Sequence, residues 1–154
     1  MDQKELLKSF YLFTGVTSND LQALEAIVER KVYIAGDHVY NEGEVADAIF
    51  LIEMGAVDIV RRDKEVAFAT IGSGQGFGEL AFFEQGTRPA SASARERTHI
   101  LQIPYERFSK LLSERSGLAL IVYRNACAFF AKHLRAMALD LNRRYLFLSG
   151  LLPE

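Results

Sequence analysis

Apolar residues fall into three textures along the chain. Between Thr17 and Val28 they recur at Leu21, Leu24, Ile27 and Val28, a spacing that lines one face of a helix, with Thr17 and Ser18 ahead of it as N-cap candidates. A shorter helical stretch precedes it, so two helices open the chain. From about Arg30 to Pro104 the pattern changes to short β-rich runs: Lys31–Ala35, Ala48–Glu53, Val57–Val60, Val66–Ile71, Ala90–Ala94 and His99–Ile103. Turns at Gly36, Gly43, Gly55, Gly72-Ser73-Gly74 and Gly86 separate them, which predicts a small antiparallel barrel or jelly roll.

Beyond Pro104 the helical period returns. Tyr105–Ser113 reads as a short helix, and 118–149 is a run of 32 residues without Gly or Pro between Gly117 and Gly150. At about 1.5 Å per residue this is a helix of up to ~48 Å. Leu120, Tyr123, Cys127, Phe130, Leu134, Met137 and Leu141 recur along it at alternating steps of three and four, with Leu148 one heptad later and Arg144 interrupting. Such a seam suits a partner helix. A barrel of some 75 residues is too small to cover it, so the first half is expected to pack on the barrel and the second to pair with another copy, in a parallel homodimer. The expected organisation is one domain over 1–154, with N-terminal helices in 1–29, a β-roll in 30–104 and C-terminal helices in 105–149.

Composition narrows the function classes. With 154 residues, 49% of them hydrophobic and 25% charged, the chain has enough apolar surface for one sizeable core and is neither disordered nor collagen-like. Cys127 is the only cysteine, so there is no intrachain disulfide. The start lacks a signal-peptide core, and the apolar run from Leu118 to Ala131 is broken by Arg124 and Asn125, short of the ~20 residues of a membrane span. A cytoplasmic location is expected. Residues 1–113 carry 12 Lys and Arg against 17 Asp and Glu, and 114–154 carry 6 against 3, which is no basic footprint for nucleic acid. His38, His99 and His133 lie on different elements with no metal-ligand spacing, Cys127 sits on the helical seam, and Glu42 and Glu44 are turn residues without a partner carboxylate. No enzyme and no metal site are expected.

The densest chemistry lies between Gly72 and Ser91. A kinase glycine loop is excluded, because the Val-Ala-Ile-Lys, His-Arg-Asp and Asp-Phe-Gly elements are missing. If Gly78 ends a strand and Glu79–Phe83 turn into helix, the first amides of that turn favour an anion. Arg88, nine residues after Glu79, offers a permanently charged fork for phosphate oxygens, and Glu79 accepts from a sugar hydroxyl. The arrangement describes a nucleotide site. A Glu and an Arg at this spacing also fit an ordinary salt bridge.

Phe77-Gly78-Glu79-Leu80-Ala81-Phe82, the loop Phe83 to Gly86, and Thr87-Arg88-Pro89-Ala90-Ser91 resemble the phosphate-binding cassette of the cyclic nucleotide-binding domain family. The likeness continues in Tyr33 to Gly43 (a double turn), in Ala46 to Ile52 followed by Gly55-Ala56-Val57 (a central hairpin), and in Leu12 to Val16 followed by Leu21 (a helical entry). It covers residues 10 to about 137 and implies an eight-stranded β-roll with flanking helices that binds cyclic AMP or cyclic GMP as a regulatory sensor, signalling through its C-terminal helix. By position, Glu79 takes the ribose 2′-hydroxyl and Arg88 the cyclic phosphate. Gly78 allows close backbone approach, the amides of Leu80 and Ala81 complete the anion pocket, and Pro89, Ala90 and Ser91 line it. Phe130, Leu134 and Arg135 are candidates to cover the purine.

Two positions depart from the family pattern. Thr87 replaces a usual proline, and Pro89 stands where a residue with a backbone N–H is usual. Proline has no N–H and biases Arg88 toward extended backbone. A lost charge-assisted hydrogen bond costs about 1.5–3 kcal/mol, or roughly 10- to 150-fold in affinity. The alternative expectation is therefore a degenerate domain that binds no nucleotide and serves as a dimerisation or interaction scaffold. Family regulators that bind DNA carry a helix-turn-helix after the long helix, a position held here by Gly150 to Glu154.

Overall fold

The computed structural model describes residues 2–63 and 66–148, with side chains of the last helix described to Leu146. Helix α1 (Gln3–Ser9), a 3-10 turn (Tyr11–Phe13) and α2 (Ser18–Ile27) open the chain. Thr17 is the cap of α2: its Oγ1 accepts from the Asp20 N–H at 3.2 Å, satisfying one of the free amides of the first turn.

Among the described residues eight antiparallel strands follow: β1 (Glu29–Tyr33), β2 (His38–Tyr40), β3 (Ala48–Met54), β4 (Ala56–Val60), β5 (Ala69–Gly72), β6 (Gly76–Phe77), β7 (Ser91–Ala94) and β8 (Thr98–Pro104). They form two four-stranded sheets ordered β1-β8-β3-β6 and β2-β7-β4-β5. The first sheet is buried on both faces along β3 and β8, while its edge strand β1 leaves Arg30, Lys31 and Val32 exposed. Ile49 and Leu51 of β3, with Leu101 and Ile103 of β8, belong to a core shared with the helices, whereas Ala48, Phe50 and Ile52 pack with Val57, Phe77, Ala92 and Ile100 inside the roll. This is why β3 reads as a continuous apolar run rather than an alternating one. The small strands β2 and β6 escape the sequence pattern because three and two residues are too few to show a period. The run expected as a strand from Val66 begins only at Ala69, and Val66 and Phe68 are exposed.

Helix α4 (Tyr105–Glu114) leads into α5 (Ser116–Leu148). Helix α5 takes Gly117 into its first turn instead of starting after it; the end expected at Gly150 lies outside the described residues. Its first half buries Leu118, Val122 and Ala126. The 3-10 turn and α4 are its main supports, and Leu118, Val122 and Ala126 share one core with Ile49 and Leu51 of β3 and Leu101 and Ile103 of β8. Asn125 clamps the turn, its Nδ2 donating to the carbonyls of Leu12 and Thr14 at 2.9 Å each. Beyond Ala131 the helix stands away from the domain, leaving Leu134, Met137 and Leu141 more than 60% exposed. Among the described residues no helix is long and apolar enough to cross a membrane.

Candidate nucleotide-binding site

The segment that follows β6 is built around a glycine that nothing else can replace. Gly78 has φ +83°, and a Cβ on it would stand 2.9 Å from Arg88 Nη1 and 3.0 Å from a ring carbon of Phe50, so both conformation and space exclude a side chain. Glu79 is the N-cap of α3 (Leu80–Glu84), and the Phe82 N–H returns to its carbonyl at 3.0 Å. The amides of Leu80 and Ala81 have no acceptor within so short a helix. Gln85, at φ 56°, closes it through an N–H bond to Ala81 O.

The chain then runs antiparallel to the loop before β3. Arg88 N–H donates to Glu44 O and Gly43 N–H to Arg88 O, both at 2.8 Å, and Ala46 N–H to Gly86 O at 3.3 Å. Extended backbone is what this pairing needs at Arg88, so the bias imposed by Pro89 agrees with it. Pro89 itself is exposed, whereas Ala90 is buried. Ser91 is partly committed already: its Oγ accepts from the Glu42 N–H at 2.9 Å.

The two charged groups occupy different surroundings. The Arg88 side chain is 2% exposed. Its Nη2 donates to Ala48 O at 2.8 Å, and its Nη1 to Gly78 O at 3.1 Å and Tyr105 Oη at 3.4 Å. The Tyr105 hydroxyl also donates to Gly78 O. The guanidinium lies 4.2 Å over the ring of Tyr40, a contact worth about 2 kcal/mol when desolvated. Its negative partner is the exposed Asp47 carboxylate, 3.7 Å from Nη2, while Nε is buried without a hydrogen-bond partner. Burial pushes the phenols of Tyr40 and Tyr105 up, Tyr105 to about 12, so neither supplies a compensating anion.

Glu79 is half-buried, and its Oε1 accepts from the Tyr11 hydroxyl at 3.2 Å. Burial raises its carboxyl above the usual range; its own amide and the Tyr11 bond oppose that shift. Burial, and then the facing carboxylate, push the Tyr11 hydroxyl upward. The Tyr11 ring stacks on Phe129 of α5 at 3.9 Å with an interplanar angle of 16°.

Of the three candidates for a cover, Phe130 meets Phe83 of α3 edge-on at 5.6 Å. Leu134 lines, with Leu80, Phe83, Phe129 and Met137, an apolar groove of about 620 Å³ between α3 and α5. Arg135 is exposed and is not part of the groove lining. Sequence reasoning missed Tyr11, Tyr40, Asp47 and Tyr105. They contact the cassette across 68, 48, 41 and 17 positions, and no local pattern marks them.

A sequence profile described as the cyclic nucleotide-binding domain matches residues 30–115. The chain is 29% identical over 139 residues to the cyclic AMP receptor protein of Thermus thermophilus, covering 88% of this chain and 62% of that protein. It is 30% identical over 123 residues to glutaminase 1 of Bradyrhizobium diazoefficiens, covering 80% of this chain but 20% of that protein. The chain thus spans less than two thirds of these relatives. Among solved structures, the Thermus thermophilus catabolite activator protein superposes with a TM-score of 0.73 at 27% identity, over 88% of this chain and 63% of that one. With a profile match over more than half its length, and with the cassette folded around Gly78, Glu79 and Arg88, the chain belongs to the cyclic nucleotide-binding domain family.

Proposed function

We propose that this domain is a regulatory sensor for a cyclic nucleotide, cyclic AMP or cyclic GMP, and that the whole of 1–154 acts as one such unit. The observation that carries the reading is the incomplete environment of Arg88. A guanidinium 2% exposed, with its Nε unpartnered and only an exposed carboxylate at 3.7 Å, lacks both an acceptor and a share of negative charge. A cyclic phosphate supplies both. Glu79 Oε2 is then the acceptor for the ribose 2′-hydroxyl, and the amides of Leu80 and Ala81 add donors to the phosphate side. Ala90 seats the segment in the roll, and Ser91 retains a hydroxyl proton to donate. Phe130 and Leu134 are the better placed residues to approach a purine. The site works by binding, and no catalytic step is proposed for it.

Ligand binding transmits through α5, whose first half is fixed to the helical layer and whose second half offers an exposed apolar seam. A second copy of the chain is the proposed occupant of that seam, and sedimentation at dimer mass is the check. The deciding experiment is calorimetric titration with cyclic AMP and cyclic GMP separately. Saturable heat is expected, with affinity reduced at least 100-fold in Arg88→Ala. Absence of heat with either nucleotide, on protein shown to be folded by circular dichroism, would replace the sensor with the scaffold reading.

A further inference from the structure

The contact between Tyr11 and Glu79 belongs to no part of the cassette. It joins the 3-10 turn to the site across 68 residues, and the same tyrosine stacks on Phe129 of α5. The turn cannot drift independently of α5, because Asn125 holds the carbonyls of Leu12 and Thr14. One carboxylate oxygen of Glu79 is thereby engaged while the other is left as an acceptor. We propose that Tyr11 is a positioning residue for Glu79: its hydroxyl aims the carboxylate at the ribose 2′-hydroxyl, and its ring ties that carboxylate to α5. This rests on the sensor reading above, since it assumes that a ribose is what Glu79 meets.

A phenol bonded to a carboxylate stabilises the ionised form, and only the ionised form accepts from the sugar through either oxygen. The groups facing Glu79 are Tyr11 from the 3-10 turn, Tyr40 from β2 and Tyr105 from the start of α4, with Arg88 acting on Tyr40 and Tyr105. Tyr11 is the one whose hydroxyl bonds to the carboxylate. Deleting that hydroxyl therefore raises the Glu79 carboxyl further, and nucleotide binding is lost at a higher pH on the acid side.

Tyr11→Phe keeps the ring, its stack on Phe129 and its edge contact with Phe10 at 4.9 Å, so the fold has little reason to change. Calorimetry with cyclic AMP and with 2′-deoxy cyclic AMP, on wild type and variant, gives the test. Cyclic AMP affinity is expected to fall about tenfold in Tyr11→Phe, with 2′-deoxy cyclic AMP affinity moving less than threefold. The acid limb of cyclic AMP binding is expected to move to higher pH, and in a Glu79→Ala background, which offers the Tyr11 hydroxyl no side-chain acceptor, the tyrosine substitution is expected to add nothing. Equal losses for both nucleotides would reduce Tyr11 to a packing residue and overturn the inference, as would tighter cyclic AMP binding, which would make Tyr11 a competitor. If the wild type binds neither nucleotide, the sensor reading fails first and the inference falls with it; a wild type that binds both while Tyr11→Phe shows no 2′-hydroxyl-dependent loss overturns the inference alone.

Discussion

The two ends of the cassette are held by different parts of the molecule. Arg88 is fixed mainly to the β-roll, through Ala48 O of β3, the ring of Tyr40 on β2 and the carbonyl of Gly78, with a longer bond to Tyr105 at the start of α4. Glu79 is fixed to the helical layer, through Tyr11 and, behind it, Phe129 of α5. The cation is almost fully buried and short of negative charge; the carboxylate is half-buried, and its burial disfavours its charge. A ligand with a phosphate at one end and a sugar hydroxyl at the other must satisfy sheet and helices together. Binding one small molecule then becomes a constraint between two bodies, which is what a shift of α5 requires.

The comparison breaks most severely at the sheet end. Arg88→Ala removes three charge-assisted bonds and leaves Ala48 O short of a donor inside the roll, so a stability loss of about 3 kcal/mol is expected in urea unfolding, beyond the loss of nucleotide. If the midpoint is unchanged, Arg88 is no pin and the asymmetry between the ends disappears. Gly78→Ala comes next. It places a side chain at φ +83° and against Arg88 Nη1, with an expected cost of about 2 kcal/mol. Because Gly78 connects the two ends, the variant is also expected to weaken nucleotide binding in the same titration.

How far these ends were legible from sequence follows the same division. The sheet end sits in a contiguous motif: Gly78, Arg88 and Ala90 are read directly from the cassette, and the structure finds Gly78 and Arg88 in contact and Ala90 buried. Tyr40 was seen only as part of a turn, because β2 is three residues long and hides inside that turn. At the helical end Glu79 is read from the cassette as well, but its partner 68 positions away, Tyr11, reads locally as an ordinary aromatic after a short helix. Periodicity located α5 but marked the wrong face of it as the packed one. The buried face is Leu118, Val122 and Ala126, and the heptad seam lies beside it, exposed at Leu120, Tyr123, Leu134, Met137 and Leu141 and partly buried at Phe130. Pro89 has two consequences legible in the sequence, and only one bears on the fold: its backbone bias suits the extended pairing of Arg88 with Glu44 and Gly43, while its missing N–H removes one donor from the cassette.

The smallest expected effect has the opposite sign and lies at the helical end. Burial raises the Glu79 carboxyl above its usual range, which means that folding disfavours its charge and that the folded state holds a proton more tightly than the unfolded one. Stability drawn from this group is present at low pH and is lost as pH rises from the usual carboxylate range through the raised value. Glu79→Gln removes the charge but keeps an oxygen for the Tyr11 hydroxyl. The variant is therefore expected to melt slightly above the wild type at neutral pH, with the gap closing on acidification as the wild-type carboxyl takes up its proton, while cyclic AMP binding weakens. Thermal melts of both proteins across that pH range are the check. A wild type more stable than Glu79→Gln at neutral pH would mean that the carboxylate is already fully satisfied in the fold, leaving it with no reason to await a ribose.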